Sequence, residues 1–117
     1  MRHRKKLQKL GRNRANRRSL IKNLINDLLA HGKLQTTESK AKALRSAIDR
    51  IVTQAKKGQT MNTIRSLQKI GVRESASKKL FAEYMPRYSS RNSGFTTISP
   101  VKLRKGDNAL IVQISLL

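Results

Sequence analysis

Apolar residues recur with a helical period at Leu20, Ile21, Leu24, Ile25, Leu28 and Leu29, leaving Lys22, Asn23 and Asn26 outside the stripe. Gly32 lies where a left-handed C-terminal cap would close such a helix. Lys33-Leu34-Gln35-Thr36 then alternates over too short a span for a helix, which predicts one brief strand. Thr37 is placed to cap a second helix, with Glu38 near its positive dipole end. Ala41, Leu44, Ala47, Ile48, Ile51, Val52 and Ala55 form the buried face of that helix, the most regular stripe in the chain. Lys56-Lys57-Gly58 ends it with positive charge at the negative end of the dipole.

Met61, Ile64, Leu67 and Ile70 predict a short third helix stopped by Gly71. Val72, Ala76, Leu80, Phe81 and Tyr84 predict a fourth stopped by Pro86. From Arg87 to Gly94 the chain is polar, with serines and Asn92 around Arg91, which is loop chemistry. Phe95 to Ile98 reads as a strand that Pro100 either ends or confines to a sheet edge. Gly106-Asp107-Asn108 tolerates positive φ, and Leu110, Val112, Ile114 and Leu116 then alternate with Gln113 and Ser115, so the last strand pairs back through that turn. The expected fold is α+β: a two-layer domain of order helix, strand, three helices, two strands.

Charge changes the picture at the N-terminus. Residues 1–18 hold Arg2, Arg4, Lys5, Lys6, Lys9, Arg12, Arg14, Arg17 and Arg18 with no acid and no amphipathic face. They read as an extended basic arm that orders along phosphates, with residues 19–117 as the single domain. Over the 117 residues, 27 Lys+Arg stand against 6 Asp+Glu, a formal net charge of +21. A domain this small carrying so much like charge repels itself, so its folded state is expected beside a polyanion. The hydrophobic fraction of 37% lies above the disordered class, and with only two Phe, two Tyr and no Trp the core must be aliphatic.

The absence of cysteine removes disulfides, thiolate metal sites and cysteine nucleophiles. The longest aliphatic run, Ala109 to Val112, is far short of the ~20 residues that span a bilayer. The apolar stretch after the basic start is broken by Lys22, Asn23, Asn26 and Asp27, unlike a secretory signal, while the Arg-rich, acid-free start keeps an organellar transit peptide open on composition.

Catalytic chemistry is poorly stocked. Asp27 and His31, four apart on the first helix, are the best acid/base pair available, and their spacing is equally that of an ordinary surface pair. Two histidines cannot make a conventional metal site unaided, and the glycines are isolated rather than gathered in a phosphate loop. The expectation is no enzyme activity, no cofactor, no metal, no membrane and no small-molecule substrate. No DNA-reading motif emerges, and four aromatics suited to a core make a poor single-strand platform. Structured RNA, with dense phosphates between which a basic arm can thread, fits best.

Several segments together resemble one family. They are Met1-Arg2-His3, Leu10 to Arg14, Arg17-Arg18, Thr36-Thr37 with Lys40-Ala41-Lys42, Ala55-Lys56, Leu80-Phe81, Arg91 with Gly94-Phe95-Thr96, and Gly106-Asp107-Asn108-Ala109. In order and spacing they cover nearly the whole chain, which resembles the bacterial-type seventeenth protein of the large ribosomal subunit. The resemblance implies an α+β structural component that binds large-subunit rRNA near the polypeptide exit tunnel, beside neighbouring ribosomal proteins, in a bacterial or plastid ribosome. It also argues against a removable transit sequence, because the family's opening tripeptide coincides with Met1. The chain departs from the family pattern at Ser93-Gly94-Phe95-Thr96-Thr97, where two glycines, tyrosine, threonine and arginine are usual, and at Gln113 and Ser115, where a glutamate is usual.

Arg2, His3, Arg4, Lys5, Lys6, Lys9, Arg12, Arg14, Arg17 and Arg18 are therefore the expected rRNA contacts, with Lys40, Lys42 and Arg91 added on the domain. An architectural DNA-binding protein of a nucleoid is the alternative from another class.

Overall fold

The structure, a computed structural model, describes residues 10–117. Its order is α1 (Arg14–His31), β1 (Lys33–Thr37), α2 (Glu38–Ala55), α3 (Met61–Ile70), α4 (Glu74–Lys79), a π-helical turn (Leu80–Tyr84), α5 (Met85–Tyr88), β2 (Thr96–Leu103) and β3 (Leu110–Leu116). Because α4, the π turn and α5 follow without a break, the expected succession of helix, strand, three helices and two strands is the one observed.

The three strands form one antiparallel sheet in the order β1-β3-β2. Ile114 in the central strand faces Leu34 on one side and Ile98 on the other, and with Val112 these residues cover the helices. Gln113 is flanked by Gln35 and Ser99 on the opposite, polar face, as a period of two requires. Pro100 sits in edge strand β2, where its missing N–H costs least, and a register shift between Pro100 and Lys102 follows it. The core joins Ile25, Leu28 and Leu29 of α1 to Leu44, Ile48, Ile51 and Val52 of α2, with Leu67, Leu80, Tyr84, Tyr88 and Phe95 around them.

Four local expectations need correction. Helix α1 begins at Arg14, so Arg14, Arg17 and Arg18 are helical, not part of an extended arm. The start is set by Asn13, whose side chain accepts the Asn16 N–H at 2.9 Å and satisfies one donor of the first turn. Asn26, read as solvent-facing, is buried. The helix around Tyr84 does not stop at Pro86 but runs on to Tyr88. The π turn makes this feasible: the Met85 N–H reaches back to the Leu80 carbonyl, widening the helix just before a residue that cannot donate. Thr37 occupies the N-cap of α2 but its side chain makes no capping hydrogen bond, leaving Glu38 to favour that helix end.

Asn26 joins α1 to the turn after α3. Its Nδ2 donates to the carbonyls of Lys22 (2.9 Å) and Gly71 (3.0 Å), while its Oδ1 accepts the Arg73 N–H at 2.9 Å. Gly71 closes α3 at φ 113°, and a Cβ there would lie 2.7 Å from Lys22 Cγ. Positive φ and close approach together demand glycine. This junction brings the end of α3 against the middle of α1 and shapes the site described next.

Candidate nucleic-acid interface

Helices α1, α2 and α3 leave between them a groove of about 690 Å³. Helix α1 contributes Arg17, Arg18 and Lys22; α2 contributes Lys42, Arg45 and Arg50; α3 contributes Lys69. Among the described residues, seven cations thus line one concavity and no carboxylate does. Water keeps such charges apart only partly, and a polyanion entering the groove would relieve their repulsion.

Each element delivers its cations for a local reason. The fully buried residues of α1 all lie in its second half, at Ile25, Asn26, Leu28 and Leu29, and Ile21 is partly buried against the core, so the first turn and a half carries arginines freely. Its first turn contains no acid, and Arg14 and Arg17 stand at the positive end of the helix dipole. That arrangement is unfavourable in the free protein and becomes favourable when an anion binds there. The Lys22 stem lies across Gly71, which leaves its ammonium free to reach the groove. Asn26 holds the α3 terminus in place and with it Lys69.

Three of the six carboxylates are paired within their own segments. Glu38 pairs with Lys42 at 2.8 Å, Glu74 with Lys78 at 3.3 Å and Asp107 with Arg104 at 2.7 Å, each within about one turn of its own segment. The Arg104–Asp107 pair is bidentate, and the Ala109 N–H adds a third bond to the carboxylate. The Arg104 hydrogen bond, followed by that of the Ala109 backbone, lowers the Asp107 pKa to about 2. Of the seven groove cations only Lys42 has a carboxylate partner among the described residues.

The expected contact residues divide accordingly. Arg17, Arg18 and Lys42 line the groove. Arg12 and Arg14 are exposed at the start of α1, and the Arg12 carbonyl accepts from Arg17. Lys40 is not in the groove: it sits two residues from Lys42, which turns it to a different side of α2. Arg91 is exposed in the loop before β2, apart from the groove, and donates to the Gly94 carbonyl at 3.3 Å. Arg2, His3, Arg4, Lys5, Lys6 and Lys9 lie outside the described residues. Lys22, Arg45, Arg50 and Lys69 were missed, since each alone looks like part of a solvated helix face. Three basic helix faces meeting across one glycine turn was the available signal.

The aromatic residues do not offer a stacking surface. Phe95 is buried against Tyr88, ring centroids 5.1 Å apart, and Lys56 lies over its outer face. The departure from the family pattern at this position therefore alters a core residue. Burial raises the Tyr84 and Tyr88 pKa values, which keeps both phenols protonated. Asp27 and His31 are exposed, and among the described residues neither forms an ion pair and no cluster of three metal-ligating side chains occurs. No helix among them is long and apolar enough to cross a membrane.

Comparison with known proteins gives a concordant result. Residues 20–117 match the family model described as Ribosomal protein L17. The chain is 41% identical over 116 residues to the large ribosomal subunit protein bL17 of Helicobacter hepaticus, covering 99% of each chain. It is 40% identical over 109 residues to the protein of that name from Clostridium acetobutylicum, covering 93% of this chain and 95% of the relative. A longer relative of the same name from Desulfosudis oleivorans is 40% identical over 116 residues, and there the match spans 55% of the relative. With the match extending from the middle of α1 through β3, the chain belongs to the ribosomal protein L17 family.

Proposed function

We propose that the chain binds large-subunit rRNA through the groove between α1, α2 and α3, continued by the basic residues that precede α1. Membership of the family makes it a structural component of the large ribosomal subunit rather than an enzyme. The observation that carries the rRNA reading is the groove itself, with seven cations, no carboxylate and a helix N-terminus without acid beside it. Binding is electrostatic: each cation that neutralises a phosphate releases a condensed counterion, and that gain offsets ordering of the basic segment. Arg12, Arg14, Arg17, Arg18 and Lys42 belong to this surface, with Arg2, His3, Arg4, Lys5, Lys6 and Lys9 as further rRNA contacts and Lys40 and Arg91 as separate ones. A position near the exit tunnel, beside other ribosomal proteins, completes the reading and rests on the family resemblance.

The test is recovery of the full chain with large subunits or with chromosomal DNA in moderate salt. Preferential co-sedimentation with subunits, lost in an Arg45→Glu/Lys69→Glu variant that still folds, is the expected outcome. Equal recovery on both polyanions would favour an architectural DNA-binding role instead.

A further inference from the structure

The groove has a floor as well as walls. Ile21 and Ile25 of α1, Ala43 and Ala47 of α2 and Ile70 at the end of α3 make it apolar at the base, and Ile70 is left 41% exposed. An RNA duplex laid across the cations would touch the rim with its phosphates and leave this floor wet, which apolar surface opposes. A base turned out of its stack fits better: it has apolar faces, a polar edge and a phosphate on either side. The volume of about 690 Å³ is in the range of pockets that enclose small organic ligands.

The walls narrow the choice further. Arg17, Arg18, Arg45 and Arg50 present planar guanidiniums able to stack on a base or fork a phosphate. Among the described residues no aromatic lines the groove, so it lacks the platform that would hold a run of stacked bases and suits a single one. Apart from Ser46, every polar side chain of the lining donates hydrogen bonds and cannot accept them. Such a lining reads an acceptor edge. Guanine offers O6 and N7 side by side on one edge, whereas adenine and cytosine set an exocyclic amine beside their ring acceptor and uracil separates its two carbonyls by an N–H donor.

We infer that the groove takes one splayed guanine from an RNA loop or bulge, with the base on the isoleucine floor and its flanking phosphates on the arginine walls. This rests on the rRNA-binding reading and specifies what that site holds.

The experiment measures affinity of the full chain, by fluorescence anisotropy at one fixed salt concentration, for RNA hairpins sharing one stem. The hairpins carry a single bulged G, A or C, an abasic bulge, or no bulge. The bulged G should bind about tenfold tighter than the uninterrupted stem and the abasic bulge, with A and C several-fold weaker than G. Ile70→Ser, at an exposed position, should erase the preference for the bulge. Equal affinity for bulged G, abasic bulge and plain stem overturns the splayed-guanine site but leaves rRNA binding standing. Loss of affinity for every RNA in Ile70→Ser overturns it too, because the floor would then only support the walls. Displacement of the bulged-G hairpin by poly-glutamate at equal charge would mean an unselective anion trough, also against it. Failure to bind large-subunit rRNA even at low salt would remove the underlying reading itself.

Discussion

Helices α1 and α2 are each 18 residues long, yet they are built for different ends. Helix α2 buries seven residues spread along its length and begins with Glu38, an acid at the positive end of its dipole. Helix α1 buries four residues, all in its second half, and begins with arginines and no acid. Helix α2 is consistent in its stripe, its core and the charge at its N-terminus. The first half of α1 is not, and the inconsistency is localised where the groove opens. A helix end that is electrostatically wrong for the free protein and right for a phosphate-bound one is what the proposed rRNA-binding surface calls for.

The largest test of this division is charge insertion into α2. Ile48→Asp buries an unpaired carboxylate at a fully buried site and should cost roughly 4 kcal/mol or more, enough to unfold a domain of this size. Thermal melting followed by circular dichroism checks it. An unchanged melt would mean that α2 is not the core helix.

Next in size is Asn26→Ala, which removes the polar joint between α1 and the turn after α3. The Arg73 N–H and the Gly71 carbonyl lose their partner, for a cost of about 2–3 kcal/mol. RNA affinity should fall in the protein that remains folded, since the end of α3, with Lys69, is no longer held against α1. Full stability with full affinity would show the joint to be dispensable.

The comparison is sharpest for Arg14, Arg17 and Arg18, because stability and binding should move in opposite directions. Replacing all three with Gln removes repulsion at the α1 N-terminus and should raise the unfolding free energy by about 1 kcal/mol. The same variant should flatten the plot of log K against log[salt] for large-subunit rRNA by about 2–3 units. A variant that loses both stability and affinity would mean these arginines hold the fold together.

These contrasts explain what could be read in the chain and what could not. The α2 stripe, the glycine caps at Gly32 and Gly71 and the alternation in β3 are local patterns whose meaning does not depend on distant residues, and each formed where expected. The start of α1 was misplaced because residues 14–19 have no apolar stripe. Only Asn13, an N-cap residue in a run of cations, announced it. Asn26 looked exposed because its partners lie 45 and 47 residues away. The continuation through Pro86 depends on a backbone device, the π turn, that side-chain periodicity does not report. The groove failed to show for the same reason as Asn26. Its cations come from three helices, and only packing brings them together.

The smallest effect concerns a cation outside the groove that has its own carboxylate, as Lys42 alone does among the described groove cations. Arg104 Nε and Nη2 meet Asp107 Oδ1 and Oδ2 at 3.0 and 2.7 Å across the β2–β3 turn, where Asn108 adopts φ 56°. The folded-state Asp107 pKa is lowered from 3.8 to about 2, so the pair contributes fully above the unfolded value and is lost as pH falls through about 2. Both groups are solvent-exposed, so the contribution to stability is slight, and the readout should be local. The amide resonance of Ala109, which donates to Asp107, should titrate with a midpoint near 2 and should not titrate in this range in Asp107→Asn. Over the same range the core amides of α2 should not shift with it. A midpoint near 3.8 would show the pair open in solution. Arg104 would then join the unpaired cations, and the division between satisfied and unsatisfied charge would lose its example on the sheet.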